Sequence, residues 1–463
     1  MRVIRLAIVV AVSLFALGLT PSAKAQSSSS AAATSAGTSD SSAPTQASDS
    51  ADASTPAIPP GTIINSSNWS QYKQFMSDGL IGLWEGRWFW KMPAEAQIKV
   101  GPTMVYPLPS AYVAASEKFG DQTQIEKASD GRWRLKNYVA GVPFPIPSDP
   151  NKGQKILTNL NYRIQPHLIA GYEDSGAPLT VCNLDKMSNV LCWKLEYNVR
   201  QLAYNWEPGV PQTEPTAQGA WLGIWIDVLE PEQYRYATDL LLYWQDNLTT
   251  EDNFLFVPAL RHSLRLSDAS HCSRAFTFAD FTHDDTRGGW NGGIADFDAT
   301  FIKRMKLLGL VQANNDYGKF PDNYLMPLGF AKPSWGDWEL RDTWVIDVRP
   351  AAALKGRYCY GKRIVYVDTN TYAPLAQDLY NTKMEFNKVM LESLTPADFP
   401  GSGKQTWTGG GIGQIWDVIT EHAAFGFTAD EKGNNWTIDG AVKPQYNNPK
   451  EYQDSGAVMH MMR

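Results

Sequence analysis

Trp221-Leu222-Gly223-Ile224-Trp225-Ile226-Asp227-Val228-Leu229 is the stretch that decides the fold. Its even positions, Leu222, Ile224, Ile226 and Val228, are aliphatic, whereas the odd ones are Trp221, Gly223, Trp225 and Asp227. A period of two marks a strand whose successive side chains point to opposite faces, here an aliphatic core face and an aromatic one. The same alternation separates Trp344, Ile346 and Val348 from Thr343, Asp347 and Arg349, and Ile364, Tyr366 and Asp368 from Arg363, Val365 and Val367. Asp368-Thr369-Asn370-Thr371 and Asn381-Thr382 read as turns, so residues 357–390 form an antiparallel meander, and residues 233–244, 253–258 and 260–266 form an earlier group of strands. Helical signals are few. Ser66 or Ser67 caps a helix with Tyr72, Phe75, Met76 and Leu80 on one face, and a helix after Ser110 groups Tyr112, Ala115 and Phe119. The expected class is α+β, mainly β: one large curved antiparallel sheet covered by a few helices, with no internal repeat of fixed period.

Before this domain lie two segments of different character. Arg2 and Arg5 precede an apolar run from Leu6 to Leu19, and Ala23-Lys24-Ala25 places small residues where a signal peptidase reads them, so residues 1–25 are expected to be a signal peptide cleaved after Ala25. The run is short of the ~20 residues a membrane-crossing helix needs, and no cysteine near the cut offers a lipid anchor. Residues 26–60 are almost entirely Ser, Ala, Thr, Asp and Pro, with Ile58 the only large aliphatic residue, which reads as a disordered tether, either a spacer or an extension without a role. Residues 61–463 then form a single β-rich domain. No later segment reaches 18 apolar residues, so the mature chain is expected to have no transmembrane helix.

Charge narrows the partners. The chain carries 41 basic and 48 acidic side chains, and loss of Arg2, Arg5 and Lys24 with the signal would take its net charge from −7 to −10. Nucleic acid is excluded as a natural partner, since backbone binding requires a clustered excess of Lys and Arg.

The four cysteines, Cys182, Cys192, Cys272 and Cys359, form an even set in an exported chain, which favours two disulfides. Cys182–Cys192 closes a short loop between adjacent strands, contributing roughly 2–3 kcal/mol in the chain-entropy model, and Cys272–Cys359 follows by elimination. The rival is a metal site from His271, Cys272 and His283 with Asp284 or Asp285; no compact metal-binding spacing supports it, and neither a metal nor a cofactor is expected. Pro400-Gly401-Ser402-Gly403-Lys404-Gln405 imitates part of a phosphate-binding loop. It has Asp398 where the first glycine belongs and no hydroxyl residue after the lysine. Gly409-Gly410-Gly411-Ile412-Gly413 opens no βαβ unit. The six histidines are scattered, and no Gly-x-Ser-x-Gly elbow is present. Asp284, Asp285, Asp296 and Asp298, beside Gly288-Gly289 and Gly292-Gly293, are the only candidates for a paired-carboxylate hydrolase, and no catalytic residue is assigned.

What remains is aromatic. Trp84, Trp88, Trp90, Trp221 and Trp225, with Tyr138 and Phe144, are the candidate lining of a hollow on the concave side of the sheet, the competing reading being ordinary core. Leu135-Lys136-Asn137-Tyr138-Val139-Ala140-Gly141-Val142-Pro143-Phe144-Pro145, followed by Asp149-Pro150, Gly153, Lys155 and Asn159, resembles a block of the domain-of-unknown-function family numbered 1329, whose members are often labelled outer-membrane lipoprotein-sorting proteins. Asn253 to Leu266, with Pro258-Ala259-Leu260-Arg261, resembles a second block, and Thr343 to Tyr380 a third. The resemblance implies a LolA/LolB-like incomplete barrel that holds acyl chains, in a Gram-negative envelope, periplasmic or associated with the outer membrane. It carries over no catalytic residues. The expected ligand is a lipid or other hydrophobic small molecule; the alternative is a structural protein docking an envelope transporter or outer-membrane partner.

Overall fold

A computed structural model describes residues 57–463, apart from 166, 172–177, 204–213, 267–269, 276–278, 314–320, 400–402, 409–412, 428–436, 439–447, 453–457 and 459–463. The expected signal peptide, nearly all of the tether, most of the two glycine-rich loops and His460 lie outside the described residues.

Thirteen strands run in one hydrogen-bonded path. They are β1 (Leu179–Leu184), β2 (Val190–Gln201), β3 (Ala220–Glu230), β4 (Thr238–Trp244), β5 (Asp252–Val257), β6 (His262–Leu266), β7 (Phe297–Ala313), β8 (Gly336–Pro350), β9 (Tyr360–Asp368), β10 (Pro374–Asn381), β11 (Phe386–Leu391), β12 (Gln414–Asp417) and β13 (His422–Phe427). Every pairing is antiparallel, and in these labels the spatial order is 6-5-4-3-2-1-13-12-11-10-9-8-7. The chain meanders outward from the centre through β1 to β6, crosses to the far edge, and meanders back from β7 until β13 pairs with β1. Edge strands β6 and β7 are not joined, so the sheet is open rather than a closed barrel.

Both faces are buried, because the alternation supplies apolar groups to each. Leu222, Ile224, Ile226 and Val228 enter one core together with Val181, Leu241, Ile346, Val365, Leu379 and Met390. Their neighbours along the strands enter the opposite face: Trp225, Leu240 and Leu242 in one cluster, and Cys182, Val345, Val389, Trp416 and Phe425 in another. Trp221 departs from the alternation. A register shift between Ala220 and Leu222 in the β3–β4 pairing lets Trp221 pack on the same core as Leu222, away from Trp225.

Besides a distorted single turn at Thr286–Gly289, three α-helices are described: α1 (Asp78–Glu85), α2 (Ser110–Phe119) and α3 (Lys152–Asn161). The first expected helix is in fact two pieces, a 3-10 turn over Trp69–Phe75 and then α1, which Ser77 caps by accepting from the Leu80 backbone N–H, so Leu80 belongs to the second piece. Ser66 and Ser67 cap neither. α1 is fixed to the sheet by Asp378 of β10, whose oxygens accept from the backbone N–H groups of Asp78 and Gly79. α2 forms where expected. α3 lies against β7, closely enough that a Cβ on Gly153 would stand 2.5 Å from the Ala299 carbonyl oxygen.

Both disulfides are present. Cys182 and Cys192 face each other across β1 and β2, and Cys272 is joined to Cys359, just before β9.

Candidate functional site

The segment 267–296 carries the chain from β6 to β7, and its acids decide how it lies. Asp280 Oδ2 is 3.1 Å from His422 Nδ1 at the start of β13. Asp285 closes a capping box with Thr282 and accepts from Arg363 Nη2 and the Tyr360 hydroxyl, each at 2.8 Å, with Lys388 Nζ at 3.8 Å. Burial alone would favour the neutral acid, but Arg363 and Lys388 hold the Asp285 carboxyl below its usual range. Asp284 Oδ1 meets His271 Nδ1 at 2.7 Å, and although burial opposes the charged imidazole, this contact lifts His271 to about 9. His283, which burial drives down to about 4, stays neutral.

The remaining two acids are tied to the N-terminal part of the chain. Arg132 donates Nε and Nη2 to the two oxygens of Asp296 at 2.6 and 2.7 Å, and Asp298 Oδ1 accepts from Lys127 Nζ at 2.6 Å and Trp133 Nε1 at 2.8 Å. Asp284, Asp285, Asp296 and Asp298 each engage a cation, His271, Arg363, Arg132 and Lys127 in turn, and Asp296 also acts on His271. Cys272 sits in a disulfide and is no metal ligand, and among the described residues no three His, Cys, Asp or Glu side chains are grouped to hold a metal.

The anchored segment roofs a cavity. Between Thr286 and Gly289 the backbone turns through two consecutive left-handed residues, Arg287 (φ 53°) and Gly288 (φ 64°), a conformation that costs an arginine roughly 1–2 kcal/mol. Arg287, Asn291 and Gly292 to Asp296 form one wall of an inner cavity of about 70 Å³; Arg132, Asn161, Trp221, Tyr243, Trp244, His271 and the β4–β5 turn with Glu251 form the rest. Trp244, Thr249, Thr250 and Glu251 are shared with an outer cleft of about 860 Å³, which Gln218, Gly219, Gln245, Asp246, Asp252 and Arg265 complete. Most of these linings are polar. The outer volume falls in the range typical of small-molecule sites, and the four shared residues make the two spaces contiguous.

The seven aromatic candidates do not converge. Trp84, Trp88 and Trp90 belong with α1 to one core, where Trp90 is buried and donates to the Asp417 carbonyl. Trp225 lies on that same side of the sheet in a separate cluster, edge-on to Tyr452 at 6.0 Å and donating to Asp227. Trp221 and Phe144 are on the opposite face, and Tyr138 reaches Trp221 through Tyr162, with ring centroids 4.9 and 6.2 Å apart in succession. Of the seven, Trp221 alone lines a described cavity. Arg287, Trp244 and Asn291 were not singled out from the sequence; an arginine beside Gly288-Gly289 in an acid-rich loop was the available signal.

A family model described as a protein of unknown function, DUF1329, matches residues 63–453. No curated protein matches the chain. Among solved structures, a Vibrio parahaemolyticus domain described as a candidate outer membrane lipoprotein-sorting protein is 14% identical, with 64% of this chain and 96% of that one covered at a TM-score of 0.42. A DUF1329 family protein from Desulfovibrio piger is 13% identical over 66% and 100% of the two chains at 0.41, and a LolA superfamily protein from Nitrosomonas europaea is 10% identical over 64% and 97% at 0.34.

Proposed function

The chain belongs to the DUF1329 family, and from that premise we propose that it is a cell-envelope binding protein whose ligand is a lipid or another molecule with both an apolar and a polar part. The observation that carries this reading is an open cleft of about 860 Å³ beside the β4–β5 turn that shares Trp244, Thr249, Thr250 and Glu251 with a smaller, polar cavity lined by Trp221 and Arg287. Trp244 and Trp221 offer apolar walls, and the polar lining suits a headgroup better than the mostly apolar hollow expected from the aromatic residues. Two disulfides suit an oxidising compartment, and no described helix is long and apolar enough to cross a membrane. Binding rather than covalent chemistry is supported by the four acids, each engaged by a cation.

Mass spectrometry of lipid extracted from protein purified from its native compartment, with titration by an apolar fluorescent probe, tests the proposal. A co-purified amphiphile is expected; no retained lipid and no probe response would overturn it. A second reading, docking to an envelope transporter or an outer-membrane partner, is favoured by the β1–β2 turn, where Met187 and Leu191 are 74% and 53% exposed beside Ile419, the two turns being joined by Lys186–Glu421. Crosslinking from Met187 in intact cells, with Leu191→Asp as the control, would separate the two.

A further inference from the structure

One buried charge lining the inner cavity has no counter-charge among the described residues. Arg287 is 5% exposed, and its guanidinium carbon lies 4.7 Å from the centre of the Trp221 ring. Nη1 donates to Asn291 Oδ1 at 3.3 Å, while Nε and Nη2 have no partner among the described residues. The acids nearby are committed elsewhere: Asp296 to Arg132, Asp284 to His271, Asp285 to Arg363, and Glu251 faces His271 at 3.9 Å. Tyr197 and Tyr243 stand close, but burial holds both phenols neutral. Arg163, whose Nη2 donates to the Arg287 carbonyl, brings a second positive charge rather than a negative one. An isolated buried cation is costly unless something pairs with it.

The unpartnered atoms are a matched pair. Nε and Nη2 form the side edge of the guanidinium, the fork that fits the two oxygens of a carboxylate or phosphate. This protein uses that edge repeatedly: Arg132 on Asp296, Arg341 on Asp368 and Arg349 on Asp347 all donate Nε and Nη2 to one carboxylate. Among the described buried arginines, Arg287 is the one that leaves both atoms unpartnered. Trp244 also lines this cavity, although its ring packs with the Trp225 cluster on the opposite face, and among the described residues its buried Nε1 has no acceptor.

We propose that the inner cavity is an oxyanion seat, in which a carboxylate or phosphate group is gripped by the Nε/Nη2 edge of Arg287 with Trp244 Nε1 as a further donor. The seat is reached from the outer cleft, so the anion is the terminal group of a longer ligand or a free ion small enough to pass Trp244. This deepens the reading above by naming the chemistry of the ligand's polar end, and it rests on that reading only for the body attached to the anion.

Calorimetric titration of the full mature chain with inorganic phosphate, acetate, oleate, lysophosphatidate and the uncharged oleyl alcohol tests it, with the change in total tryptophan fluorescence as a second readout. The seat predicts that the anionic probes bind and that Arg287→Asn, a replacement that tolerates the left-handed backbone, weakens them at least about tenfold while leaving oleyl alcohol unaffected. Trp244→Phe keeps the ring and should weaken the same probes several-fold, which serves if Arg287→Asn does not fold. Oleate and lysophosphatidate binding without phosphate or acetate identifies a headgroup seat; phosphate or acetate binding through Arg287 without amphiphile binding keeps the seat and refutes the amphiphile reading. Oleyl alcohol binding as tightly as oleate, or anion binding indifferent to Arg287→Asn and Trp244→Phe in folded protein, would overturn the seat and leave the amphiphile reading standing.

Discussion

Replacing Asp239 by asparagine should stabilise this protein, and by an amount set by pH. Asp239 lies in β4 opposite Ile226 of β3 and Leu255 of β5, is 8% exposed, and its Oδ1 has no partner. Burial with no compensating donor raises its carboxyl from 3.8 to about 7. The folded-state value lies above the unfolded one, so the group's full stability is present below about pH 4 and is lost as pH rises through 7. A shift of ~3 pH units corresponds to about 4 kcal/mol. An asparagine side chain has the same outline and no charge to desolvate. At pH 8 the Asp239→Asn variant should therefore exceed the parent by up to about 4 kcal/mol, and at pH 4 the two should agree within about 1 kcal/mol. Urea unfolding followed by tryptophan fluorescence at pH 4, 6 and 8 reads the difference. With a slope of about 4 kcal/mol/M, scaled up for a chain of this length, the midpoint should move by about 1 M at pH 8. An equal shift at pH 4 and pH 8, or a less stable variant at pH 8, would refute the reasoning.

Three further outcomes follow from the anchors. His271, lifted from 6.5 to about 9 against Asp284, contributes ~3 kcal/mol that is fully present below pH 6.5 and lost as pH rises through 9; His271→Gln should flatten that loss, and an imidazole titrating at 6.5 or below in an NMR pH series would contradict the account. Loss of Cys272–Cys359, which spans 87 residues, should cost about 4.5 kcal/mol in the chain-entropy model against ~3 for Cys182–Cys192, which spans 10, so the paired serine variants should rank in that order by thermal unfolding. Gly153→Ala forces a methyl group to 2.5 Å from the Ala299 carbonyl oxygen and the Phe301 nitrogen, and should cost about 1–3 kcal/mol by lifting α3 from β7, seen as early hydrogen exchange confined to residues 152–161.

The strands were legible because alternation is a local property: Leu222 through Val228 fall on one core face as the period of two requires. Trp221 escaped because one extra residue at the bulge reverses the side chain's face, and nothing local announces it. α3 escaped for a different reason. Its helix begins after left-handed Asn151 with no side-chain cap, and although Ile156, Leu157 and Leu160 fall at helical spacing, Gln154, Thr158 and Asn159 are just as covered, so its short apolar stripe does not mark how much of its circumference is buried. At the site, the acids were visible as a cluster, but their cations come from far along the chain: Arg132 and Lys127 lie before α3, and Arg363 and Lys388 lie on β9 and β11. Pairing of β1 with β13, residues 179–184 with 422–427, is equally non-local, and it decides the strand order.

That order also accounts for why the cavity lies under residues 267–296. A crossover between the two edges of a thirteen-strand path, at ~4.8 Å per strand, has up to about 58 Å to travel around the sheet, less where the sheet curves. Thirty residues can extend to about 100 Å. The segment therefore has slack, which it takes up in short 3-10 turns and in the left-handed pair at Arg287 and Gly288. Slack of this kind would leave a loop mobile unless it were pinned, and the pins fall on one half of the sheet: Cys272 just before β9, Asp280 at β13, and Asp285 at β9 and β11. A charge held on such a segment is fixed in place before any ligand arrives, which lowers the ordering cost of binding. Arg287 lies two residues beyond Asp285, where the pinned backbone bends left-handed, so the rigidity that closes the open sheet is the same rigidity that would hold an oxyanion's partner ready beneath the cleft.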